Sequence, residues 1–410
     1  MIHLVRKLFL LFIAFSAISI GADGHSTLSN QAEIAVMTLG PYQGELYSAF
    51  GHTAIRVSDP IQGIDYVFNY GIFDFDQENF YWNFARGKML YQLGVAQYER
   101  FKQAYIHENR YIIEQHLNLT SQEKQKVYDF LLWNSQPENK MYNYNYVYDN
   151  CSSKVPEILD KIFPGRIAYR FFYVEEDKTV RDLMDDYLQY QPWGDWIIDI
   201  GLGNQIDQEA DGRTYMFLPD YVKSALDSAL FQRDSVTVPL VDKTVNVFQS
   251  SPKEYSNSIF SPFNTFVLIF FIIGFFTNRD FKRGKRSHWV DVVLFTFVGI
   301  IGWWLVFLWT ATDHLSKENM NLFWAFPLYV PFVYLLNIQK LKKFLAITFQ
   351  VLGVWYLILL FIWGAMPQPL HNAILPIIIT MLLRGFYIGY DLRKSGSPDK
   401  KIVAAKPNEN

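Results

Sequence analysis

Hydrophobic residues are spread unevenly along this chain. Five long apolar stretches occupy its second half, at roughly 259–277, 289–311, 322–338, 344–364 and 370–389. Most are long enough to cross a hydrocarbon core of ~30 Å at ~1.5 Å of helix rise per residue. The third contains Pro327 and Pro331 and fits least well. Another apolar run, Leu8–Ile20, follows Arg6 and Lys7, and the small residues Ser19, Gly21 and Ala22 lie at its end. A charged start, an apolar middle and small residues beyond it predict a signal peptide over 1–22. Residues 23–255 are polar with scattered aromatics and read as one exported domain. Residues 256–392 read as a five-span transmembrane domain and 393–410 as a tail.

Within the exported domain the periodicity changes from place to place. Glu33–Leu39 alternates as a strand does, and Gly40, Pro41 and Gly44 break it. Thr53–Val57 and Ile64–Tyr70 read as the two strands of a hairpin around the turn signal Asp59-Pro60-Ile61-Gln62-Gly63. Helices are expected over 97–107 and 121–134. Val155, Ile158, Leu159 and Ile162 recur at helical spacing after the cap-type residues Asp149, Asn150, Ser152 and Ser153. Cys151 is therefore expected at a helix start, with Pro156 in the early turns where proline is best tolerated.

Charge sets the orientation of the spans. Arg279, Lys282, Arg283, Lys285 and Arg286 follow the first span, and Lys340, Lys342 and Lys343 follow the third. Arg393, Lys394, Lys400 and Lys401 follow the fifth, whereas Thr312–Asn321 holds one Lys and Ala365–Pro369 none. Basic loops mark the cytoplasmic side, so the N-terminal domain is expected in the periplasm and the C-terminus in the cytoplasm. The whole is expected in a bacterial inner membrane. The net charge of −3 gives no basic excess for nucleic acid. The 18% aromatic content suits a membrane interface.

The chain has a single cysteine, Cys151. It can form no intramolecular disulfide, and no cysteine cluster is present for a metal; neither a metal nor another cofactor is expected. A thiol at a helix start meets the positive end of the helix dipole, which favours the nucleophilic thiolate. The same backbone N–H groups are candidates to bind an oxyanion. A buried, inert cysteine is the plainer alternative. The base is sought among His25, His52, His107 and His116. His52, at a strand start after Gly51, fits best, because a His at a strand start opposite a Cys at a helix start is the papain-like arrangement. A hairpin turning near Ile61 brings the partner of residue 52 close to 69 or 70. Asn69 is then the residue to orient the imidazole, with Asp65 and Asp74 as fallbacks. The site read from the sequence is Cys151, His52 and Asn69, with no substrate-binding residue assigned.

Three motifs in order carry a resemblance: Phe50-Gly51-His52 leading into Ala54-Ile55-Arg56-Val57, then Phe68-Asn69-Tyr70-Gly71, then Asp149-Asn150-Cys151-Ser152-Ser153. With the five apolar stretches, they resemble the Bacteroides-type lipoprotein N-acyltransferase family, Lnb. Gly203–Pro219, with Asp207 and Asp211, is similar to the family as well. The exported domain also resembles permuted NlpC/P60 domains, in which His precedes Cys. Such domains commonly carry Arg three residues after the Cys, where this chain has Lys154. The implied fold is an α+β papain-like periplasmic domain followed by an all-α five-helix transmembrane bundle. The implied reaction is ping-pong: Cys151 takes an acyl chain from a phospholipid as a thioester and passes it to the α-amino group of a diacylated lipoprotein. Membrane lipid and that lipoprotein are the implied partners. A membrane-anchored cell-wall peptidase or amidase and a non-enzymatic membrane assembly protein are the rival readings. Asp313, His314, Asn319 and Asn321, with Gln368, His371 and Asn372, are expected to form a polar rim for lipid headgroups. Trp303, Trp304, Trp309 and Trp324 are expected as an interfacial belt beside it.

Overall fold

The computed structural model describes residues 27–73, 78–175, 178–251, 255 and 259–396. The expected signal peptide, His25, Asp74 and the tail beyond 396 lie outside the described residues. The chain forms two compact units, one of residues up to Leu188 with Glu209–Tyr255, the other of Gln189–Gln208 with the chain from Ser256 onward.

The first unit is built on an antiparallel sheet. Its strands are β1 (Glu33–Leu39), β2 (His52–Asp59), β3 (Ile64–Phe73), β4 (Met89–Gln97), β5 (Ile112–Leu117), β6 (Met141–Tyr144) and β10 (Val241–Phe248), in the order β10-β5-β1-β2-β3-β4-β6. A small second sheet joins β7 (Ile167–Ala168), β8 (Leu230–Arg233) and β9 (Val236–Pro239). The β2–β3 hairpin turns where the composition predicts, because the buried Asp59 carboxylate accepts the N–H groups of Ile61 and Gln62 and of Ser29. Gly63 supplies the positive φ, 66°.

Alternation along β2 gives the sheet two buried faces. Ile55 and Val57 join Phe68, Tyr70 and Val95 in a core closed by three helices. These are Ser121–Asn134, Cys151–Ile162 and Pro219–Ser228. Ala54 and Val67 face the helix Tyr98–His107 through Phe101. The Cys151–Ile162 helix buries Val155, Ile158 and Leu159, the residues whose spacing predicts it.

The second unit holds four helices long and apolar enough to cross a membrane among the described residues: Pro262–Arg283, His288–Ala311, Gln339–Phe361 and Asn372–Lys394. The third predicted stretch makes no long helix. Met320–Phe323 is a 3-10 turn and Tyr329–Leu335 a two-turn helix. Pro327 and Pro331 each lack an N–H for a continuous helix. Backbone freed from helical bonding needs other partners at membrane depth, and here it has them: the Tyr356 hydroxyl donates to the Trp324 carbonyl, and Trp355 Nε1 to that of Phe323. The segment packs tightly on His288–Ala311 because Gly299 and Gly302 face it. A Cβ on Gly302 would lie 2.2 Å from the Ala325 carbonyl oxygen.

A buried Arg384 ties three of the long helices together. Its guanidinium meets Asp291 at 2.7 Å, Asp280 at 3.0 Å and the Thr277 hydroxyl at 3.1 Å. Gln189–Gln208 contributes the helix Pro192–Gly201 to this unit, and its C-terminal carbonyls are capped by amides. Asn319 Nδ2 donates to Ile200 O at 2.7 Å, Asn321 Nδ2 to Asp199 O at 3.2 Å, and Gln368 Nε2 to Leu202 O at 3.0 Å.

Candidate active site

Cys151 is the first residue of its helix. Asn150 caps it: its Oδ1 accepts the N–H groups of Ser152 and Ser153, while the Ser153 hydroxyl accepts the Asn150 N–H. Asn150 Nδ2 also donates to the carbonyls of Tyr146 and Phe217. The helix start is pinned to the first residues of β2 by the Thr53 and Ser152 hydroxyls, 3.0 Å apart.

That contact brings Cys151 beside His52, close enough for the imidazole to act on the thiol. Asn69 Oδ1 lies 2.5 Å from His52 Nε2, so Nε2 carries the hydrogen and Nδ1 is left for the thiol. Tyr105 stacks on the imidazole. The hairpin register pairs Ile55 with Phe68 and Val57 with Tyr66. Continued one step, it sets Asn69 opposite Ala54, so Asn69 reaches His52 as a diagonal neighbour on the same face, not as its direct partner. The register thus sets residue 71, not 69 or 70, opposite His52, and the side-chain period of two keeps Asn69 on the face of His52.

Burial works against charge on both groups. It would raise the Cys151 thiol, but the His52 charge and hydrogen bond, with the Thr53 N–H and the Ser152 hydroxyl, bring it down to about 7. Burial would lower His52, but the Cys151 charge and the bonds to Cys151 and Asn69 raise it. The pair therefore favours thiolate and imidazolium.

Gly71, at φ 93°, lies in a bulge of β3 between the pairs Asn69–Gly94 and Ile72–Gln92. A Cβ there would sit 3.6 Å from the Cys151 Cβ, so the bulge passes the chain close beside the thiol. Tyr91, Tyr142 and Tyr144 surround the site, and burial followed by the Cys151 charge raises all three hydroxyls. The Tyr142 hydroxyl is buried and has no hydrogen-bond partner among the described residues. It lies 4.0 Å from the Cβ position of Gly71.

The capping box changes the expectation for the oxyanion, because the Ser152 and Ser153 N–H groups already bond to Asn150. Tyr142 is a further candidate donor beside the Cys151 N–H, and nothing local in the sequence marks it. Asp65 pairs with Arg56 at 2.8 Å, and His116 lies 2.9 Å from Glu33. Lys154 contacts Asp149 at 2.7 Å and Glu157 at 3.0 Å. In the second unit, Asn319, Asn321 and Gln368 of the expected rim hold the Pro192–Gly201 helix. His371 Nε2 lies 3.2 Å from Asp195. Trp324 is fully buried and donates to Asn321, so it belongs to no interfacial belt, whereas Trp303 is half exposed.

A sheet-based α/β domain presenting a thiol–imidazole–amide triad, joined to long apolar helices, defines a membrane protein with an N-terminal thiol domain. Residues 26–185 match the family model of the Lnb N-terminal periplasmic domain, and residues 254–395 that of the Lnb transmembrane domain. The chain belongs to the Lnb family. It is an inner-membrane protein with a periplasmic N-terminal domain, and its role relates to lipoprotein N-acylation. No curated protein and no solved structure matches it.

Proposed function

We propose that this protein is a lipoprotein N-acyltransferase of ping-pong mechanism, with Cys151 as nucleophile, His52 as base and acid, and Asn69 orienting the imidazole. The observation that carries the reading is the Cys151–His52 pair at a capped helix start, with the far ring nitrogen held by Asn69. The Cys151 thiolate attacks an ester carbonyl of a phospholipid, forming a C–S bond and an oxyanion that the Tyr142 hydroxyl faces. Collapse breaks the C–O bond, and imidazolium His52 gives its proton to the departing lysophospholipid oxygen. The neutral α-amino group of a diacylglyceryl-cysteine lipoprotein then attacks the thioester. A C–N bond forms, the C–S bond breaks, His52 takes the amine proton and the thiolate returns. The permuted NlpC/P60-type papain-like order, His before Cys, agrees with this assignment.

The broken segment around Tyr329–Leu335 completes a fifth crossing between the second and third long helices. An odd number of crossings after a periplasmic N-terminal domain leaves the C-terminus in the cytoplasm, in line with the basic loops. The deciding experiment is mass spectrometry of lipoprotein N-termini after incubating the purified protein with phospholipid vesicles and a diacylated lipoprotein. The expected product carries one added acyl chain and is absent with Cys151→Ala. Peptide cleavage in place of acylation would overturn the reading in favour of a peptidase.

A further inference from the structure

The helix Phe80–Ala85 reads Phe-Tyr-Trp-Asn-Phe-Ala and buries none of its residues. Tyr81 is 85% exposed, Trp82 57% and Phe84 44%. So much aromatic surface facing water is unfavourable, and grouped on one element it marks a binding surface. Arg86 and Lys88 follow directly, and the Arg86 guanidinium lies over the Trp82 ring at 6.0 Å. Aromatics next to cations are what a phospholipid headgroup region favours.

Behind this ridge lies a shallow cleft open to solvent, lined by Phe73, Phe80, Phe84, Lys88, Met89, Leu90 and Tyr91. Apart from the Lys88 ammonium and the Tyr91 hydroxyl its lining is apolar, which suits a hydrocarbon chain and gives a peptide backbone little to bond to. Packed rings lead from the cleft towards the site. Phe73 lies 4.3 Å from Tyr91, and Tyr91 stacks on Tyr144 at 4.0 Å. Tyr91 and Tyr144 both stand within the field of Cys151.

We propose that the Phe80–Ala85 ridge enters the bilayer surface and that the cleft behind it guides an acyl chain of a glycerophospholipid to Cys151. This assignment rests on Cys151 being the acyl acceptor, and its test has one arm that does not. Cys151→Ser leaves a chain without cysteine, so Trp82→Cys in that background can carry a single NBD fluorophore. The full chain is reconstituted in phosphatidylethanolamine–phosphatidylglycerol vesicles. The emission at position 82 should shift to the blue and be quenched by doxyl-labelled lipid, while a label at the exposed Ser235→Cys should do neither. A label at 82 as unquenched as that at 235 overturns the ridge.

In the second arm, Trp82→Ser/Phe84→Ser is made with Cys151 intact. Cys151 acylation is followed from vesicle phospholipid and from water-soluble p-nitrophenyl acetate. The vesicle rate should fall at least about tenfold more than the acetate rate. Equal losses from both donors overturn the guiding role. A wild-type thiol acylated by neither donor removes the underlying reading of Cys151, and the guiding role with it, while the fluorophore arm still judges the ridge.

Discussion

At the scale of single residues, chemistry at Cys151 is set by groups that hold its charge. Alkylation by iodoacetamide measures the thiolate alone. In the wild type its rate should rise with pH around a midpoint of about 7. The direction follows because the thiol is lowered from its ordinary value, so protonation removes the nucleophile only below that midpoint. His52→Ala takes away the main lowering influence and leaves burial, so the midpoint should move up towards the ordinary thiol range or beyond. An unchanged profile would remove the ion pair. Acyl transfer in the same variant should drop by ~10²–10⁴.

Tyr142→Phe separates two roles in one measurement. Alkylation has no oxyanion, whereas acylation by an ester does. The variant should therefore lose ~10²–10³ in acylation by p-nitrophenyl acetate while its alkylation rate stays near that of the wild type. Parallel losses would mean that the hydroxyl only shapes the pocket. The signal for Cys151, His52 and Asn69 is legible in the sequence, because helix caps, strand starts and hairpin turns have local signatures. Tyr142 is not legible in this way: its hydroxyl matters through what it lacks, and only the packed structure shows an unpartnered group.

At the scale of elements, the capping box holds the thiol in place. Asn150→Ala should destabilise the periplasmic unit by ~1 kcal/mol through the cap alone, and by more through the carbonyls of Tyr146 and Phe217 that lose a donor. Thermal unfolding read by circular dichroism should show the loss. The thiol midpoint should shift as well, because the helix start no longer fixes the distance to His52. In the membrane unit, Arg384→Ala leaves Asp280 and Asp291 buried without their shared cation. Removing one partner of such a network typically costs ~3–5 kcal/mol, so the variant should extract poorly and melt early. Arg384→Lys should recover only part, since a point charge cannot fork to both carboxylates. A fully stable alanine variant would remove the network as a structural tie.

At the scale of the whole molecule, the proposed fifth crossing is open to a direct test. Reporter fusions near 284, 341 and 405 should read cytoplasmic, and those near 240 and 316 periplasmic. A periplasmic signal at 341 would mean that the broken segment returns without crossing. The sequence by itself determined the division into a polar half and an apolar half, the β1–β2–β3 strands and the helix behind Cys151, because burial periodicity and capping chemistry are local, and it brought forward Cys151, His52 and Asn69 as candidates. It also singled out the third apolar stretch, with its two prolines, as the one that fits a span least well. Only the tertiary structure decided how the break there is tolerated, by the hydroxyl of Tyr356 and the indole of Trp355, and why Gly299 and Gly302 stand opposite it. It likewise reassigned Asn319, Asn321 and Gln368 from a lipid rim to the capping of Pro192–Gly201. A polar side chain announces in sequence that it needs a partner, but the partner's identity is fixed by distance in space, which periodicity does not encode.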